Sequence, residues 1–288
     1  MEKIGIIVDS GTDLPKNIIE KYNIKVVPLR IIIDGKEYEE GSITEEFLIK
    51  RLDDSEVTTS LPKPDSVIKA FEELISEGIK RIITFNISSK MSGTFNLFRL
   101  TSNTLKEKYP DVKIENIDTK NISIGAGLVA YNAIKMIEEG KVFDEIVKWC
   151  NENINKAKVF FAIPTLKYLA KGGRIGKVSA KIGEMLNIKP IISISDEGIY
   201  YSVSKVRGFK KSFDKVFEEF NKFVDNRKNI AAVYISGTTK EFEKVQRDFF
   251  EKVGNLEHTL EVIMGKVSST LLVHSGPDLF GIGVIVTE

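Results

Sequence analysis

Residues 81–94 read RIITFNISSKMSGT, and their order decides the fold class. A short apolar, partly β-branched run ends in hydroxyls and a glycine, and helical periodicity begins at once over 93–108. A buried strand that passes through a short loop into a helix is half of a strand–helix–strand unit. A second short apolar run at 112–117 supplies the other half. Outward from there, 3–9 and 25–33 are β-branched runs, and 15–22, 44–52, 64–76 and 124–139 carry helical spacing. Ser42 or Thr44 ahead of Glu45 and Glu46, and Asp65 and Ser66 at Pro64, are helix-start signals. The alternation predicts an α/β fold with a mainly parallel sheet, in which ligands sit beyond the carboxyl ends of the strands.

The texture changes after a strand-like run at 158–163 that ends at Pro164. A glycine-rich loop spans 171–176. Two strand-like runs, 189–195 and 199–206, are joined by Asp196-Glu197-Gly198 as in a hairpin. A helix over 209–224, a strand over 231–236, a helix over 241–253 and strands near Glu261 and Gly283 complete a second unit. The predicted domains are 1–155 and 156–288. No internal repeat or low-complexity segment is visible.

The 288 residues are 42% hydrophobic, enough for a sizeable core, and the 42 basic and 41 acidic residues leave a net charge of +1. That balance gives no field for nucleic acid or a membrane surface. Cys150, the single cysteine, excludes an internal disulfide and a thiolate metal site, and beside Trp149 it reads as core. MEKIGIIVDS, residues 1–10, lacks the pattern of a signal peptide, and no apolar stretch reaches membrane-spanning length. A cytoplasmic protein without stable membrane insertion is expected.

Three segments, read as loops, set hydroxyls and glycines beside strand ends: 58–62, 88–94 and 274–277. Ser92, Gly93 and Thr94 open a helix, whose free N–H groups and positive end suit an anion, with Gly93 allowing close approach. Plain helix capping by Ser92, and turn or cap roles for Thr59 and Ser60, explain the same residues. His274 is a structural histidine, a donor to a carboxylate or a pH-sensitive gate; Arg174, in Lys171-Gly172-Gly173-Arg174, is a solvated cation, a bidentate anion contact or a docking residue for a partner. His258 lies in no motif. The residue types alone leave these readings open.

In combination the segments resemble the DegV family of bacterial fatty-acid-binding proteins, over essentially the whole chain. The resemblance rests on Val8-Asp9-Ser10-Gly11-Thr12-Asp13-Leu14-Pro15, Val26-Val27-Pro28-Leu29, the 36–39 turn, Thr59-Ser60-x-Pro62, Ser88-Ser89-x-x-Ser92-Gly93-Thr94, Ile117-Asp118-Thr119-Lys120 with Gly125-x-Gly127, 169–175 and His274-x-Gly276-Pro277. It implies two α/β domains, the first three-layered with a mainly parallel sheet and the second with a mixed sheet, around a buried long-chain fatty acid such as palmitate. It implies that Thr59 and Ser92 hold the carboxylate, with Ser60, Gly93, Thr94, Arg174 and His274 nearby. It further implies presentation of the acid to a separate fatty-acid kinase, no catalytic centre or metal in this chain, and no cofactor. Arg207, with Arg174, Lys205 and Lys210, is the candidate docking patch for that partner.

The chain departs from the family pattern at Leu61, where Gln is common, at Lys63, at Phe98, where Ala is frequent, and at Asp278, in place of Gly. Phe98 is expected to shorten or redirect the tail tunnel, and Asp278 to alter the C-terminal loop. Burying a methylene contributes about 0.8 kcal/mol, so about fourteen contribute about 11 kcal/mol before association costs. The tail therefore sets affinity and the head group orientation. Phenylalanine, present 17 times, can line such a tunnel without orphaned polar atoms. Competing readings are a serine hydrolase using Ser92 with His274 as base, for which no Gly-x-Ser-x-Gly elbow is present; a kinase, for which no phosphate loop is present; and a lipid-sensing regulator.

Overall fold

Alternation along the first strand sets the layers: Ile7 faces one way, and Ile6 and Val8 the other, into separate apolar clusters. The computed structural model describes residues 2–178, 187–237 and 239–287. Among them the strands are β1 (Ile4–Asp9), β2 (Lys25–Val27), β3 (Arg30–Ile33), β4 (Lys36–Glu39), β5 (Val57–Ser60), β6 (Arg81–Asn86), β7 (Lys113–Asp118), β8 (Ala157–Ala162), β9 (Ile188–Ile194), β10 (Tyr200–Arg207), β11 (Asn229–Ile235), β12 (Thr259–Lys266) and β13 (Phe280–Val286). The expected parallel sheet is present in the order β2-β1-β6-β7. On its Ile7 face lie the helices Pro64–Ser76 and Thr94–Lys108. On its other face lies the helix Ser123–Glu138, whose residues from Ile124 to Ile134 are all buried. A helix apolar on every side must be enclosed, and this one is, because its far side packs on β8 and β13.

Those strands belong to the mixed sheet β10-β9-β8-β13-β11-β12, antiparallel throughout except for β11 and β12. Its outer face is covered by the helices Phe209–Val224 and Lys240–Gly254. The first buries Phe213, Val216, Phe220 and Val224, which recur at helical spacing. A third sheet, β4-β3-β5, packs with the helix Ser269–Ser275: Ile31, Ile33 and Val57 share a cluster with Leu272 and Val273. Among the described residues no helix is long and apolar enough to cross a membrane.

The structure corrects several expectations. The run 25–33 is not one strand. Pro28 has no N–H to give a ladder, and the chain leaves one sheet at Val27 and enters another at Arg30, with Leu29 N–H donated to Ser10 Oγ at 2.9 Å. Thr58, Thr59 and Ser60 are strand β5, not loop. His274 lies in the last turn of a helix, not in a loop. Phe98 does not touch the cavity described below. It is fully buried between two helices, 6.1 Å from Phe71 ring to ring, because four residues on from Thr94 the helix presents its sheet-facing side. Asp278 has φ 64°, the left-handed conformation that glycine adopts and aspartate tolerates, so the backbone keeps a glycine-type turn there.

Candidate functional site

The row Tyr234, Gly281 and Phe161 runs across three adjacent strands of the mixed sheet, and the next row is Ala232, Gly283 and Val159. Gly281 leaves its row bare between two aromatic side chains, while Gly283 lets the buried helix approach so closely that a Cβ there would stand 2.6 Å from Ile124. Above it lies the start of the buried helix, from Ile122 to Ile124. A cavity of about 440 Å³ fills the gap, within the range of small-molecule sites. Exposed Lys90, Gly93 and Arg174 and the 36% exposed Leu61 lie at one side of it; buried Val159, Phe161 and Tyr234 close the other.

The cavity brings together Thr59, Ser60, Ser92, Gly93, Arg174 and His274, residues drawn from four separate segments. Thr94 does not line it but stands behind Ser92, and Arg207, exposed at the end of β10, lies away from it. Thr59 is held by its pairing with Ile31 in β3, and its Oγ1 lies 2.8 Å from His274 Nε2. Ser92 Oγ lies 2.7 Å from Thr94 Oγ1 and accepts the Thr94 N–H at 3.2 Å, but the helix N-cap is Gly93, so Ser92 stands one residue ahead of the cap while lining the cavity. Ser60 Oγ accepts from Arg30 Nη2 at 3.0 Å, a strap across the small sheet. Gly93 is exposed beside the cavity, and a Cβ there would make only an ordinary 3.4 Å contact with Leu61 Cδ2.

His274 is the buried base of the group. Its Nδ1 has no hydrogen-bond partner among the described residues. Gly172 explains why: a Cβ on that residue would lie 2.2 Å from Nδ1, so the imidazole rests on bare backbone. The Arg174 guanidinium donates to Gly172 O and fixes that loop. Burial, and then the charge of Arg174, hold the His274 pKa down to about 4, so the ring is neutral. An orphaned N–H is worse than an orphaned lone pair. The favoured tautomer therefore protonates Nε2, which donates to Thr59 Oγ1 and leaves the Thr59 proton free to point into the cavity.

That depressed pKa has a pH consequence. A group that binds its proton less well when folded supports the fold fully above its unfolded pKa of 6.5 and loses that support as pH falls toward about 4. Buried Asp13 and Asp9, pushed up to about 7 and about 6 mainly by desolvation, act oppositely and favour the fold toward acid. His274→Gln removes only the histidine contribution. Lipid-free His274→Gln is expected to gain on the wild type by about 3 kcal/mol between pH 6.5 and pH 4. Urea midpoints measured across that range check it, and a pH-independent difference refutes it.

Asp9 and Asp13, which read in the sequence as turn and cap residues, take those roles, but the contacts by which these and other residues support the site were not read there. Ser88, from the Ser-Ser motif, donates to Gly198 O at 2.7 Å and ties the β6 loop to the β9–β10 turn. Asp9 caps the turn after β1 through Gly11 N–H and also accepts from Ile87 N–H at 3.0 Å, fixing the same loop. Asp13 accepts from Ser123 Oγ at 2.5 Å and Ser268 N–H at 3.0 Å. Glu40 accepts from the N–H groups of Ser269 and Thr270 and so caps the helix that ends in His274. The glycine floor had a visible signal, FGIGVIV over Phe280–Val286, with glycine at two alternate positions of a strand.

A family model described as an uncharacterised protein of the DegV family matches residues 3–287. Two DegV domain-containing proteins of Clostridium acetobutylicum are 38% and 37% identical, each alignment covering 98% of this chain and 98% of the relative. Among solved structures, a fatty-acid-binding DegV family protein from Thermus thermophilus is similar at a TM-score of 0.88 and 25% identity, covering 99% of both chains. A stearic-acid-binding protein from Eubacterium ventriosum is similar at 0.87 and 27% identity, covering 99% of this chain and 98% of that one. A fatty-acid-binding DegV family protein from Streptococcus agalactiae is similar at 0.83 and 27% identity over both full lengths.

Proposed function

The chain belongs to the DegV family, and on that premise we propose that it binds a long-chain fatty acid, with the carboxylate at Thr59 and Ser92 and the tail over Gly281 and Gly283. The observation that carries the reading is the wiring of the two hydroxyls. Each has a donor behind it: His274 Nε2 for Thr59, Thr94 for Ser92. With Nε2 protonated and the Thr94 hydroxyl turned toward Ser92, each hydroxyl keeps its own proton to give, and a carboxylate needs donors without requiring a buried cation. A hydrolase would instead need His274 as base on Ser92 and an acid behind His274. Here the imidazole is bonded to Thr59, and Nδ1 faces Gly172.

On this reading residues 1–155 supply the hydroxyls and residues 156–288 the tail floor. The acid is carried to a separate fatty-acid kinase that phosphorylates the carboxylate. Arg207, with exposed Lys205 on the same side of β10, marks the docking face; Lys210 is already paired with Glu241 at 2.8 Å. Solvent extraction of the purified protein followed by mass spectrometry, beside a native spectrum, tests the binding reading. One fatty acid per chain supports it; an empty protein that takes up no added fatty acid overturns it. Arg207→Glu is expected to cut phosphorylation of the bound acid while leaving occupancy intact, and unchanged phosphorylation removes the docking face.

A further inference from the structure

A second cavity, of about 420 Å³, opens on the far side of the wall that closes the first, with Leu14, Pro15, Ile19 and Val26 as its apolar lining. Tyr234 lines both cavities, its ring laid on Gly265 so closely that a Cβ there would be 2.3 Å from Cζ. Its hydroxyl donates to Asp13 O at 2.7 Å. Ser123 lines the inner cavity and donates to Asp13, which lines the outer one. The direction of the tail points at this wall. The helix Ser269–Ser275 carries His274 at one end and Thr270 and Leu271 along the cavity; its other end begins where Ser268 N–H is donated to Asp13. A chain anchored at His274 and laid along that helix, about 10 Å long, reaches Tyr234.

We infer that the outer groove is a distal extension of the acyl site, entered past Tyr234 by chains too long for the inner cavity. The inference rests on the fatty-acid reading above. Two hydroxyl hydrogen bonds and one ring hold the wall, with no ion pair across it among the described residues. A methylene that passes it moves from water onto Leu14, Ile19 and Val26, which rewards each added carbon. Val26 is 37% exposed on the edge strand β2, so the groove is open to filling from outside without disturbing the core.

The test is binding of palmitate and lignocerate to the lipid-free full chain and to two separate variants, Val26→Trp and Lys16→Trp, each placing an indole in the outer groove. The expected result is unchanged palmitate affinity and a loss of lignocerate affinity of about tenfold or more, equivalent to about two methylenes left unburied. Tyr234→Phe, which keeps the ring and frees it from Asp13, is expected to favour lignocerate over palmitate by about threefold relative to the wild type. Wild type that binds palmitate and excludes lignocerate overturns the extension, as do tryptophan variants that lower both acids equally or neither. Failure to bind any fatty acid overturns the inner-site reading itself and the extension with it.

Discussion

Replacing Thr59 and Ser92 together by alanine is expected to weaken fatty-acid binding by about a hundredfold to ten-thousandfold, since a hydrogen bond to a charged group contributes about 1.5–3 kcal/mol and two are lost. The carboxylate would then sit beside groups that offer it nothing, the more costly because the tail still pulls it into the cavity. Thr59→Ala also leaves His274 Nε2 without its partner at 2.8 Å, so stability should fall by about 1–3 kcal/mol, within what a domain tolerates. The two effects separate by measurement: displacement of a fluorescent fatty acid reads binding, and urea unfolding of the lipid-free protein reads stability. Single variants should not sum to the double, because one remaining donor still orients the acid. A double variant that purifies with full lipid occupancy refutes the head-group assignment.

The layers were legible from the sequence because they follow from periodicity. The runs 64–76, 81–86 and 209–224 match their elements to the residue, since each carries a sharp signal: Pro64 at a helix start, a β-branched run, and apolar positions at helical spacing. Thr59 and Ser92 were legible only through the motif resemblance, as hydroxyls beside glycine cap helices everywhere. What was not legible depends on contacts between distant segments. Gly172 is 102 residues from His274, and no local pattern announces that one must be bare for the other to fit. Strand β5 has only four residues, three of them polar, and acquires its structure from pairing with β3 across an intervening helix. Phe98 misled because a residue one turn from a cradle points to whichever face the helix packs, and this helix packs on the Phe71 side.

The same dependence on distant contacts makes Gly281 the most informative single position. Glycine inside a strand is disfavoured by about 0.5–1 kcal/mol relative to alanine, so two of them on one face of β13 mark a place where something else must lie. A Cβ at Gly281 would meet Phe161 Cβ at 3.0 Å, a contact the sheet can absorb with a small shift, whereas at Gly283 it would meet Ile124 at 2.6 Å, against the central helix. Gly281→Leu is therefore the variant expected to fill the chamber and still fold, at about 1–3 kcal/mol for overpacking. A leucine there displaces about four methylenes of tail, each contributing about 0.8 kcal/mol, so affinity for long-chain acids should fall by about a hundredfold or more. Head-group contacts at Thr59 and Ser92 stay intact, so short acids such as octanoate should bind as before, and acid extracted from the variant should be shorter than that from the wild type. Val284→Ala on the opposite face of the same strand, in the aromatic cluster under the Phe209–Val224 helix, should lower stability without changing the extracted acid. If Gly281→Leu carries the same acid at the same occupancy as the wild type, the tail does not lie on this floor.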